Sequence, residues 1–334
     1  MSESDVPLAA EFEPPTRKAW LTLVDKALKG GDFEKRLVSR TADGLAIQPL
    51  YTRGDESKGA APAGRTGWFP GGWDVRQRHI ETDPKAANAA ILEDLTAGGT
   101  SVLLQISAPG QAGLSYGAEA LARALKGVFL NACTIALDAR ENTLDAAGSL
   151  LEIWRAEGIN DNDRRGAFNY DPLGVLAKTG TLYYAADRSC EIAAKLAADS
   201  RTMSHVTTLI ADGRPYHEAG GSEAQELAAM LATLVAYLRA CETAGLRPRM
   251  ALGQIAIGLA ADADLFLTMA KLRAARRLVT RVADACGAGT AAEKMQYTAS
   301  TSERMMAKRD PWVNMLRTTV ACAGAAFGGA EAIT

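Results

Sequence analysis

The sequence predicts an α/β chain whose main part is a (β/α)8 TIM-type barrel, incomplete at about seven strands, behind an N-terminal helical and hairpin extension. Two observations carry this. From residue 83 onward, short apolar runs alternate with longer segments of helical periodicity, which implies parallel pairing through right-handed crossovers. The first 67 residues do not share that alternation and read as an extension and linker. A closed barrel is the leading architecture, and an open doubly wound sheet is the alternative.

The elements follow in order. A polar leader reaches Pro14-Pro15, after which Thr16 can cap a helix carrying Trp20, Leu21, Val24 and Leu28, stopped by Gly30-Gly31. Residues 37–51 predict a hairpin turning at Asp43-Gly44, and residues 53–67 are a Gly/Ala/Pro linker. Asp83 caps a helix with Pro84 at its first position and Gly98-Gly99 at its end. Strands are expected at Ser101–Ser107, Cys133–Leu137, Ala167–Tyr170, Val206–Ile210, Met250–Ile257, Lys294–Thr298 and Ala325–Ile333. Ser222 and Gln225 form a capping box for a helix over 222–241. A further helix from Asp310-Pro311 is expected to bury Met315, Leu316 and Val320. Residues 68–334 are thus read as a barrel domain lacking its eighth strand. Seven strands would leave two unpaired edges of buried type, a costly arrangement.

Composition excludes several classes. A net charge of −2 provides no footprint for nucleic acid or an anionic membrane surface. The five cysteines are scattered without a CxxC pair, which fits buried thiols in a reducing compartment, and the start carries no secretory or transit pattern. No apolar run is long enough to span a bilayer, so a cytoplasmic protein is expected. P-loop, GxGxxG, GxSxG and HExxH motifs are missing. His217 falls in a loop after the fourth expected strand, where barrels place chemistry, yet with no convergent ligand it reads as a solvated histidine. Arg76, Gln77 and Arg78 could hold a phosphate or carboxylate, or be a surface cluster. Lys271, Arg273, Arg276 and Arg277 read as one solvated or subunit-facing helix.

Several stretches resemble the adenosylcobalamin-dependent acyl-CoA mutases, in particular the methylmalonyl-CoA mutase family. They are Thr41–Arg53, Trp73–Gln77, Asp264–Leu278 (DLFLTMAKLRAARRL), Asp310–Thr318 and Ala326–Gly329. The run Ala27–Thr41 is similar to the small (beta) subunit rather than the large one. This resemblance implies a heterodimer with a mutase large subunit, adenosylcobalamin at the level of the complex rather than on this chain alone, and interconversion of succinyl-CoA and methylmalonyl-CoA by that complex. It also implies which positions matter. The family tyrosine falls at Arg78, the carboxylate-binding arginine at Thr179 beside Lys178, the histidine near the thioester at Pro215, the third-strand glutamine at Asn169 and the substrate lysine at His205. Arg76, Gln77 and Arg249 keep the identities of family residues that contact the CoA ester.

No catalytic residue is therefore assigned. Proline has no proton to donate, and a lysine is a poor substitute for a bidentate guanidinium. The Asp-x-His-x-x-Gly signature of the family's cobalamin domain has a single partial echo, His217 to Gly220, with Pro215 at the aspartate position, and a cobalamin-binding domain is expected to be absent. The bulk of Val102–Ile106 suggests a barrel filled by side chains. A non-catalytic structural subunit is the leading reading. The alternatives are an active substrate subunit with a separate cobalamin partner, and a pseudoenzyme or fragment.

Overall fold

The structure, a computed structural model, describes residues 15–55 and 72–334. The chain divides into two compact units, Met1–Gly59 and Ala60–Thr334. In the first, α1 (Arg17–Leu28) begins where Thr16 accepts a hydrogen bond from the Ala19 amide, as its sequence predicts. Asp32 caps the short α2 (Phe33–Leu37), and the Phe33 ring meets Trp20 edge-on at 6.2 Å. The hairpin is shorter than expected because α2 takes Leu37. Only β1 (Ser39–Arg40) and β2 (Ala46–Ile47) pair, antiparallel, around the Asp43-Gly44 turn. The linker expected over 53–67 lies largely outside the described residues.

The second unit is a closed barrel of eight parallel strands. In chain order it runs β3 (Asp74–His79), α3 (Pro84–Thr96), β4 (Ser101–Gln105), α4 (Ala118–Ala124), β5 (Thr134–Asp138), α5 (Thr143–Ala156) and β6 (Gly166–Tyr170). It continues through α6 (Pro172–Thr179), α7 (Ala186–Asp199), β7 (Val206–Asp212), α8 (Arg214–Glu218), α9 (Glu223–Thr243) and α10 (Pro248–Gln254). The last elements are β8 (Ile255–Ala261), α11 (Leu265–Ala285), β9 (Tyr297–Thr301), α12 (Val313–Gly328) and β10 (Ala332–Ile333). Asp83 and Ser222 cap α3 and α9 as expected, the latter through a complete capping box. No helix among the described residues is long and apolar enough to cross a membrane.

The expected count of about seven strands, and the missing eighth strand, are corrected. The strand not seen in the sequence is β3, the first of the barrel, whose DVRQRH carries no apolar run because Arg76 and Arg78 face a polar interior. Two-residue β10 completes the ring. Ala332 pairs with Thr298 on one side and Asp74 on the other, so neither edge is left open. The first four residues of the apolar run 325–333 instead continue α12, and residues 250–254 belong to α10, since periodicity alone does not separate a short buried strand from a helical turn.

One expectation about packing, and the reason given for another, are also overturned. Val102, Leu104 and Ile106 point outward onto Ala87 and Ile91 of α3, while Ser101 and Leu103 face the barrel interior. The interior is therefore not filled by the bulk of this strand. Leu103, Ala136 and Ala167 make a small apolar layer, and polar side chains line the space beyond it. On α12, Met315 and Leu316 are 64% and 69% exposed. That helix buries its small residues instead, Ala321, Gly324, Ala325 and Gly328, against α11.

Candidate functional site

At the C-terminal ends of the strands lies a cavity of about 420 Å³. Active sites of this barrel class occupy that face because eight loops converge there on a rigid scaffold. Three consecutive strands each present an aspartate to it: Asp138 ends β5, Asp171 follows β6 and Asp212 ends β7. In the sequence each is the acid that stops a short apolar run (TIAL-D, AFNY-D, TLIA-D), and that position is the signal from which they could have been found.

Asp171 is the most perturbed of the three. Its Oδ1 accepts hydrogen bonds from the Tyr237 hydroxyl and, at 3.0 Å, from the Gly174 amide. Burial and the neighbouring charge of Asp212 push its carboxyl up to about 7, against the pull of those two donors. Gly174 is required here, because a Cβ would sit 2.0 Å from Asp171 Oδ2.

Asp212 is committed to Arg214. Their fork is bidentate, with Nε to Oδ1 at 2.8 Å and Nη2 to Oδ2 at 2.7 Å, and Arg214 Nη1 reaches Ser300 on β9 at 2.7 Å. Burial opposes the charge of Arg214, but Asp212 outweighs it and holds the guanidinium above its ordinary value. Gly258 on β8 leaves room for this pair, since a Cβ there would lie 2.8 Å from Asp212 Oδ1.

Arg76 and Arg78 also face the cavity. Arg76 is buried, donating from Nε to Ser101 Oγ at 2.9 Å and pairing with Asp74 at 3.3 Å, and burial lowers its pKa despite that partner. Arg78 lies 3.5 Å from Glu303, and Gln77 borders the same space. Asn169, Lys178, Thr179 and Pro215 line it too. Arg249 is not among the lining residues; it is exposed on α10, which leads into the N-terminal end of β8. His205 is exposed just ahead of β7. The structure thus joins Arg76, Gln77 and Arg78 with the departures at Asn169, Thr179 and Pro215, and leaves Arg249 and His205 outside.

The reading of His217 as a solvated loop residue is corrected. It is fully buried on α8, with Nε2 2.8 Å from Ser302 Oγ and Nδ1 3.4 Å from Glu226 Oε2. Lys271, on the helix read as solvated, turns its ammonium inward to Glu226 at 2.5 Å, and Arg276 is buried as well. Burial favours a neutral Glu226, yet His217, Lys271 and the Ala260 amide outweigh it and hold the carboxyl below its ordinary value. Ser302, His217 and Glu226 have the order of a nucleophile, base and orienting acid. Chemistry does not follow, because Ser302 has no exposed surface and the amides of Ser302, Glu303 and Arg304 are already bonded. The cluster is a clamp. Glu218 binds the amides of Glu303 and Arg304, and Arg304 returns to the carbonyls of His217 and Gly221, fixing two rim loops to each other.

Comparison with known proteins shows the family of the chain. The family described as methylmalonyl-CoA mutase matches residues 40–334. The chain is 43% identical to the methylmalonyl-CoA mutase small subunit of Streptomyces virginiae, over 100% of this chain and 55% of that protein. It is 34% identical to a protein of Mycobacterium bovis named as a probable methylmalonyl-CoA mutase small subunit, over 98% of this chain and 55% of that protein. With the small subunit of Propionibacterium freudenreichii subsp. shermanii it shares 32% identity, over 100% of this chain and 54% of that protein. The chain spans about half the length of these relatives. On a match of this extent, the chain belongs to the methylmalonyl-CoA mutase family.

Proposed function

We propose that this chain is a small-subunit component of an adenosylcobalamin-dependent methylmalonyl-CoA mutase, and that it supports a catalytic large subunit without performing the rearrangement itself. One observation carries the proposal: Arg78, Asn169, Thr179 and Pro215, four of the five positions where the sequence departs from the family's catalytic and substrate-binding pattern, line a single cavity at the C-terminal ends of the strands, His205 being the exception. A radical rearrangement needs a sealed site with groups that orient the acyl carboxylate and the thioester. Here a guanidinium stands where an aromatic ring is expected, a threonine where a bidentate donor is expected, and a proline where a proton donor is expected. The Asp212–Arg214 fork further occupies this face with a self-neutralising pair.

Adenosylcobalamin fits no residue set of the described chain. His217, the one histidine with the family's His-x-x-Gly spacing, is buried against Ser302 and Glu226. The cofactor is therefore assigned to the complex. Arg76, Gln77 and Arg249 remain the positions where a CoA ester would touch this chain. Arg76→Ala is expected to weaken CoA binding in calorimetry, and an unchanged affinity would confine Arg76 to its bonds with Ser101 and Asp74.

Steady-state kinetics of the assembled complex test the proposal. Arg78→Ala and Thr179→Val in this chain should leave kcat and KM for methylmalonyl-CoA within about twofold, whereas a fall in kcat of about tenfold or more would make the cavity catalytic.

A further inference from the structure

The cavity contains more polar groups than its own bonding consumes. Asp212 and Arg214 neutralise each other, Asp171 is held by Tyr237 and Gly174, and Glu218 by two backbone amides. What is left uncommitted lies on one side, around the ends of β5 and β6 and on α6. The Asp138 carboxylate and the Lys178 ammonium make no side-chain hydrogen bond or close ion pair among the described residues, although the charge of Asp138 is felt by Arg214. Asn169 spends its amide nitrogen on the Leu137 carbonyl at 3.0 Å, which leaves Oδ1 buried without a partner. Arg140 makes one long contact, Nη1 to the Pro109 carbonyl at 3.3 Å, and its Nε is buried and unpaired.

The backbone at this spot is strained as well. Among the described residues three non-glycine positions have positive φ. Lys29 caps α1, and the other two, Arg140 at 45° and Asn169 at 55°, both line this cavity. The register of β6 against β7 also shifts between Ala167 and Tyr170, re-aiming Asn169. Strained backbone that holds unsatisfied buried polar groups against a cavity is characteristic of a ligand site.

Charge selects the ligand. Five basic and five acidic side chains line the wall, so the site has no excess of positive charge to attract a dianion. The free acceptors, Asp138 and Asn169 Oδ1, sit on adjacent strands, while the free donors, Arg140 and Lys178, sit on the 140–142 turn and on α6, which pack against each other. A molecule with an ammonium at one end and a carboxylate at the other satisfies both sets. We propose that this cavity binds a small zwitterion, an α-amino acid or a short amino acid of similar size, with its ammonium on Asp138 and Asn169 and its carboxylate on Lys178 and Arg140. This site is independent of whether the chain joins a mutase complex.

Calorimetric titration of the full chain with each common amino acid, and with succinate and n-butylamine as single-charge controls, tests it. At least one amino acid should bind at submillimolar concentration and neither control should bind. Lys178→Met, a change at an exposed helical position that leaves folding intact, should weaken that binding about tenfold or more, and Asp138→Asn should do the same. The proposal is overturned if no amino acid binds at millimolar concentration, if succinate binds as tightly as any of them, or if Lys178→Met leaves the affinity unchanged.

Discussion

Asp171 shows how a single buried carboxyl makes the stability of this barrel depend on pH. Its folded pKa of about 7 lies above the ordinary value of 3.8, so between those limits the folded chain holds a proton that the unfolded chain releases. Its contribution is therefore neutral below about pH 3.8, and a penalty accumulates as pH rises from there through the folded value of about 7, above which it is complete. Urea unfolding at pH 5 and pH 8 should show a loss of stability across that window that Asp171→Asn largely removes. An unchanged pH slope in Asp171→Asn would place the titration elsewhere. Glu226 behaves oppositely. Fully buried with Lys271 and His217, it should cost about 3–5 kcal/mol when replaced by alanine, because Lys271 is left buried and unpaired. Glu226→Leu combined with Lys271→Met should recover much of that loss in the same unfolding assay. Ser302→Ala should destabilise modestly, by about 1–2 kcal/mol, and the unaltered chain should show no esterase activity for it to remove.

At the scale of elements, local chemistry was legible and long-range partnership was not. Thr16, Asp83 and Ser222 cap helices through bonds to amides three residues onward, an interaction contained within a few residues of sequence. Strand β3 has no such local mark. Its arginines are stabilised by Ser101 on a neighbouring strand and by Glu303 at the far end of the chain, so a polar hexapeptide becomes the first barrel strand through contacts the sequence does not display. Likewise His217 reads as an exposed loop residue until α9, α11 and the segment after β9 close around it. The periodicity of α12 is real, but its small residues, not its large ones, meet α11, leaving Trp312, Met315 and Leu316 outward. Leu316→Glu should accordingly change the stability of the isolated chain by no more than about 0.5 kcal/mol in thermal or urea unfolding. A loss of several kcal/mol would show that this face is covered within the chain itself.

For the whole molecule, the recurrent strand–helix rhythm was enough to read the barrel, and family motifs were enough to read its kinship. Closure was not legible, because a ring completed by two residues, Ala332 and Ile333, has no hydropathy signal of its own. The cavity was illegible for a related reason: which face of a strand looks inward depends on register, and Val102–Ile106 turned its bulk to the helices. The proposed supporting role rests on a closed barrel whose cavity, at the C-terminal ends of its strands, is lined by Arg78, Asn169, Thr179 and Pro215 at positions where the family resemblance implies other residues. Light scattering after size exclusion, with the chain alone and co-expressed with a methylmalonyl-CoA mutase large subunit, tests it most directly. Co-elution at one-to-one mass is the predicted result, and a chain that elutes as a separate monomer in the presence of the large subunit would contradict it.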